Sequence, residues 1–174
     1  MGAPKMRVVA VLGIVLLGSV SVLGAEKGAA AGSGKTLQVQ TQSKLDVGDV
    51  PGHELVQAVG DDELKTPDKI AGVALDGSKV RVFQQSDLVN GSGMVRGYAI
   101  WEATSGQKLF AIFGYSIPPS ASQKEFTSFE GTFEWIGGTG SLQNVHGNGT
   151  IEGEVSRRGE ARYRWAGSYE IADK

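Results

Sequence analysis

The chain has 174 residues, with 17 Lys and Arg against 19 Asp and Glu, no cysteine and two histidines. The missing cysteine excludes thiol nucleophiles, thiolate metal sites and iron–sulfur clusters. The near-balanced charge, with no basic run, argues against nucleic acid or an anionic membrane as partner.

Met1 to about Ala25 reads as an export signal. Lys5 and Arg7 form a basic start, and Val8–Val22 is an apolar stretch of about 15 residues, short for a membrane span. Cleavage is expected after Gly24 or Ala25, with Ala29 and Ala31 offering a later site. Glu26 stands where a lipidated cysteine would have to be. The sequence therefore predicts a secreted or periplasmic protein with no stable membrane anchor after cleavage. Without the signal, 15 basic groups face 19 acidic ones, a net charge of −4. Glu26–Lys35 (EKGAAAGSGK) reads as a flexible leader, and residues 36–174 as one domain.

Leu37, Val39 and Thr41 alternate with glutamines and predict a first strand with those three residues on one face. Pro51-Gly52 is a turn, and His53–Val59 a short strand. Asp61–Asp68 is polar and proline-broken and reads as a surface loop. Ile70–Leu75 and Lys79–Gln85 flank Asp76-Gly77, a hairpin signal. After the Asn90–Gly93 turn, Met94–Ala103 and Lys108–Ser116 flank Ser105-Gly106. Both of these strands are apolar on two faces, as in a covered sheet centre or a barrel wall facing a partner, so an oligomer stays open. Pro118-Pro119 breaks the chain again.

The last stretch, Phe126–Ile171, carries the strongest pattern. Phe129, Gly131, Phe133 and Trp135 alternate with Glu130, Thr132 and Glu134. Val145 to Val155 alternates apolar and glycine positions with His146, Asn148, Thr150, Glu152 and Glu154. Ala161, Tyr163, Trp165, Gly167, Tyr169 and Ile171 form a third apolar face. A hairpin centred on Arg158 sets Glu154 against Arg162, Glu152 against Arg164, Gly153 against Tyr163 and Ile151 against Trp165. A one-residue slip would break both sets. Large aromatics over strand glycines fit a small, strongly coiled barrel. The sequence thus predicts an all-β fold, a closed or nearly closed antiparallel barrel of about eight strands, with a β-sandwich as the alternative.

The string Gly131-Thr132, Gly137–Gly140, Gly147–Thr150 and Trp165–Tyr169, with Gly91–Gly93 and Gly97-Tyr98 upstream, resembles secreted bacterial barrels similar to the allene oxide cyclase and dirigent families. The likeness spans about residues 91–171 and consists mostly of turn and bend glycines. It implies a barrel with an apolar interior. In the plant enzymes such an interior converts an unstable epoxide, and in dirigent proteins it orients radical coupling. No functional residue of those families is carried over onto a position of this chain.

The residues themselves point to no defined chemistry. There is no nucleophile elbow, and Gly137–Gly140 lacks the lysine and helix of a phosphate loop. The strand glutamates fall on the wet face. His146 reads as a surface residue, whereas His53, near the expected barrel mouth, is a candidate base. Neither histidine has a carboxylate at metal-ligand spacing, and no metal or cofactor is expected. The candidate ligand-binding residues are Tyr98, Trp101, Phe113, Phe133, Trp135, Tyr163 and Trp165, lining a pocket for a small hydrophobic ligand. Two rival readings stay open. One is an isomerase or cyclase acting on a reactive hydrophobic substrate, through Tyr98 or His53. The other is a non-catalytic structural or interaction protein whose core is filled by the same rings.

Overall fold

The computed structural model describes residues 26–119 and 125–172; the expected export signal lies outside them. Ten strands follow in order: β1 (Glu26–Asp46), β2 (His53–Lys65), β3 (Lys69–Ile70), β4 (Val73–Ala74), β5 (Lys79–Val89), β6 (Ser92–Glu102), β7 (Lys108–Ile117), β8 (Phe126–Gly138), β9 (Val145–Ser156) and β10 (Ala161–Ile171). Eight of them close an antiparallel barrel in the order β1-β10-β9-β8-β7-β6-β5-β2, and β3 pairs only with β4. The barrel expectation holds, and the sandwich is excluded.

The β9–β10 register is the one the alternation dictates. Glu154 faces Arg162, Gly153 faces Tyr163, Glu152 faces Arg164 and Ile151 faces Trp165. Arg164 bridges Glu152 at 3.1 Å on the outer surface. Arg162 lies over the Phe126 ring, 5.4 Å from its centroid.

Inside, registered rows alternate large and small residues around the wall. One row runs Phe129, Gly153, Tyr163, Gly34, Leu64, and another Trp135, Gly147, Tyr169, Gly28. Each ring covers a glycine on the neighbouring strand, which lets bulky side chains share a narrow interior. This arrangement overturns one expectation. Glu26–Lys35 is no leader but the first half of β1, paired residue by residue with β10. Its glycines are receptacles: a Cβ at Gly32 would lie 2.8 Å from the Trp165 ring, and one at Gly28 2.5 Å from the Tyr169 ring. The segment reads as low complexity because the partners of its glycines sit some 130 positions later.

Two bulges in β1, between Thr36 and Gln38 and between Val39 and Thr41, correct a second expectation. Each inserts a residue and shifts the strand's phase. Leu37 is consequently thrown outward, 57% exposed, while Thr36 and Val39 both face the interior. The Asp61–Asp68 stretch is likewise not a surface loop in its first half. β2 continues through it to Lys65, and Asp62 and Leu64 stay on the buried face.

The two barrel ends differ. At one, Ile70–Leu75 forms a two-residue hairpin rather than a wall strand, and Ile70 and Leu75 are fully buried beneath Trp101, Trp135 and Trp165. The Thr66 hydroxyl donates to the Ala31 carbonyl at 2.5 Å, and the Ala31 amide to Asp68 at 2.8 Å, tying this plug to β1. At the other end β1 and β2, β5 and β6, and β9 and β10 meet in short turns. Asn90 and Gly91 have φ of 53° and 80°, the left-handed pair that a two-residue β5–β6 hairpin demands. The plug thus stoppers one end, and among the described residues no such segment covers the other, which is the mouth.

Candidate functional site

The interior chamber follows from a belt of small side chains. Gly60, Val82, Ala99 and Ala111 lie side by side in register across β2, β5, β6 and β7. Bulky rings project from β8 and β10 on the opposite wall and do not fill the space the belt leaves. The result is a cavity of about 80 Å³, well above the roughly 10–15 Å³ that one water needs. Toward the mouth, beyond Gln84 and Tyr115, lies a second space of about 390 Å³ edged by Lys44, Glu54 and Arg157.

Of the expected ligand residues, Trp101, Phe113, Phe133, Tyr163 and Trp165 all line the chamber. Trp135 is interior but is fully buried between the chamber and the plug, edge-on to Trp101 and Trp165 at 6.0 Å. Its indole N–H and that of Trp165 have no protein partner. Tyr98 does not belong to the site. It sits on the outer wall, in register with Phe83 and Ile112 and stacked on Phe110 at 6.1 Å. β6 is apolar on both faces, and the small residues Gly97 and Ala99, not the large Tyr98 and Ile100, face inward.

His53 is also removed from the interior. It lies on the mouth-side turn with Nδ1 2.6 Å from Asp49 and Nε2 2.8 Å from Asp87. Carboxylates on both ring nitrogens require both to donate, which makes the ring an imidazolium. Asp87, then Asp49, holds the His53 pKa above its ordinary value, and the same contact holds Asp49 below the usual carboxylate range. A base so occupied has no free nitrogen for a substrate. His53 is an ionic staple between the β1–β2 turn and β5.

The polar group that does converge on the chamber is Asp62, which the sequence reading missed. Its exposure is 7%. The Tyr163 hydroxyl donates to Asp62 Oδ2 at 3.0 Å. Burial pushes the Asp62 carboxyl above its usual range, hydrogen bonds from Tyr163 and Thr36 pull it partly back, and neighbouring Asp61 adds to the rise. Burial also raises Tyr163 and Tyr115, with the Asp62 charge contributing to both. Tyr115 and Phe129, in contact with ring centroids 4.3 Å apart, line the chamber too and are not among the expected ligand residues. The available signal was the period-two run Val56, Ala58, Gly60, Asp62, Leu64, which passes straight through the acidic pair.

The chamber is therefore apolar and ring-lined, and it reaches one carboxyl–phenol pair. Such a site can take an apolar body and fix its orientation through one polar group. No protein-family model matches the chain, and no curated protein matches it. Among solved structures, the chain is similar to a pterocarpan synthase dirigent protein, with 11% identity over 86% of this chain and 87% of that one and a TM-score of 0.48.

Proposed function

We propose that this is an exported binding protein that holds a small, largely apolar molecule in the barrel. The observation that carries the reading is the chamber itself. Protein interiors are normally packed to crystal density, and a core built only for stability would use larger side chains than Gly60, Ala99 and Ala111 at this level. The Asp62–Tyr163 pair gives the ligand a fixed orientation, and the wider space at the mouth gives it a route in. Export is supported by the basic start and apolar stretch of the first 25 residues.

Native mass spectrometry of the exported protein, purified without detergent, tests this. The wild type is expected to carry a bound mass that denaturation releases. Ala99→Phe, which places a ring in the belt, is expected to lose it. Repeated absence of any adduct from the wild type would count against the reading.

One observation favours a second reading, proton-transfer catalysis by an isomerase or cyclase. A carboxyl with a raised pKa beside a phenol in an apolar chamber is suited to general acid–base work. Under that reading Asp62→Asn abolishes turnover while the ligand still binds; under the first there is no turnover to lose.

A further inference from the structure

Building on the chamber as a binding site, we propose that its ligand is a small organic cation, an amine or quaternary ammonium, whose charge meets Asp62 and whose carbon body lies among the rings. Among the residues lining the chamber, Asp62 is the one carboxyl, and there is no Lys, Arg or His. Its hydrogen-bond partners, Tyr163 and Thr36, are neutral. The adjoining Asp61 adds negative potential and directs its own charge outward to Arg81, 3.1 Å away. A buried carboxyl ordinarily has a cationic partner, or it gives up its charge. This one has no cationic partner in the chamber, and burial drives it toward the neutral form. A cation arriving from the mouth supplies the missing charge.

The rings supply the second half of the recognition. Trp101 lies 5.0 Å from Trp165 at 58°, and Phe133 lies 6.2 Å from Trp165 at 83°. Rings set at steep mutual angles wall a space from several directions, and their quadrupoles attract a cation lying over their faces. A neutral alcohol could also hydrogen-bond Asp62, but it would leave that attraction unused. At the mouth, Glu54 faces the entry, though Lys44 bridges it at 3.1 Å. The selectivity accordingly resides at the inner pair.

The test compares two probes of one shape, tert-butylamine and tert-butanol, titrated into the full chain while the indole N–H signals of Trp101 and Trp165 are followed by NMR. At neutral pH the amine is expected to bind at least about tenfold more tightly than the alcohol, the size of a hydrogen bond to a charged group, because only the ammonium pairs with the Asp62 carboxylate. Its affinity should fall on acidification, because the ammonium must then displace a proton from Asp62. The alcohol's affinity should change little. Asp62→Asn should bring the two probes to within about twofold of each other, and the wild-type comparison stands alone if that variant does not fold. Equal or tighter binding of the alcohol by the wild type, or an amine preference that survives Asp62→Asn, would overturn the inference while leaving the binding chamber intact. Binding of neither probe would overturn both.

Discussion

Gly34→Ala is the sharpest probe of how β1 closes the barrel. Gly34 has no left-handed φ, so an alanine is tolerated by the backbone itself. The added Cβ, however, would lie 2.5 Å from Tyr163 Cε2, with the phenol oxygen closer still. To reach ordinary contact the ring must retreat by more than about 1 Å, which draws its hydroxyl away from Asp62. Overpacking costs about 1–3 kcal/mol and loss of the buried hydrogen bond about 1–3 kcal/mol. Restriction of the unfolded chain offsets about 0.4–1 kcal/mol. These ranges combine to a net loss of roughly 1–6 kcal/mol, which a urea midpoint resolves, since slopes for small proteins are about 1–3 kcal/mol/M. The decisive assay is a double-mutant cycle with Tyr163→Leu, whose side chain stops short of Gly34. In that background Gly34→Ala should be neutral or stabilising by up to about 1 kcal/mol. An equal cost in both backgrounds would refute the ring-over-glycine account of this strand.

Three further outcomes are expected. The staple at His53 should make stability pH-dependent in a defined window: its contribution is complete below the unfolded histidine value near 6.5 and disappears as pH rises through the elevated folded value, while the Asp49 contribution disappears as pH falls through its depressed one. Urea midpoints of wild type and His53→Gln should therefore separate most in mildly acidic buffer and converge in alkali. Asp62 has the opposite sign, a raised carboxyl that destabilises the fold as it ionises above its unfolded value near 3.8; Asp62→Asn, able to accept from Tyr163, should flatten the wild-type loss of stability as pH rises from that value through the raised folded one. Exchanging Glu152 and Arg164 should shift stability by no more than about 0.5 kcal/mol by urea denaturation, because both side chains are mostly exposed; a large loss would contradict the outer ladder.

How much of this is legible in the sequence depends on locality. The β8–β10 meander can be read outright because its alternation is strict, its turns carry glycine, and two independent faces agree on the Glu152–Arg164 and Ile151–Trp165 register. Where both faces of a strand are apolar, phase is lost. Tyr98 looks as interior as Trp101, yet in a period-two strand only one of the two can face in; it is Trp101, and Gly97 and Ala99 face in with it. β1 fails for another reason. Its glycines have meaning only beside Tyr163, Trp165 and Tyr169, and its bulges, which turn Leu37 outward and Thr36 inward, leave no mark in composition. Asp62 is hidden by its neighbours, since Asp61, Glu63 and Lys65 on the outer phase make the whole run look wet. The residue that gives the chamber its chemistry thus lay in the stretch that most resembled a loop.

The three tryptophans provide the most direct test of the chamber as a binding site. Trp101 and Trp165 line it, whereas Trp135 is sealed between chamber and plug. In a titration of the ¹⁵N-labelled full chain with a small apolar probe such as tert-butanol, the account predicts saturable shifts of the Trp101 and Trp165 indole signals, with the Trp135 signal moving least. Ala99→Phe should abolish those shifts. Three unmoved signals, or shifts that persist undiminished in Ala99→Phe, would contradict it.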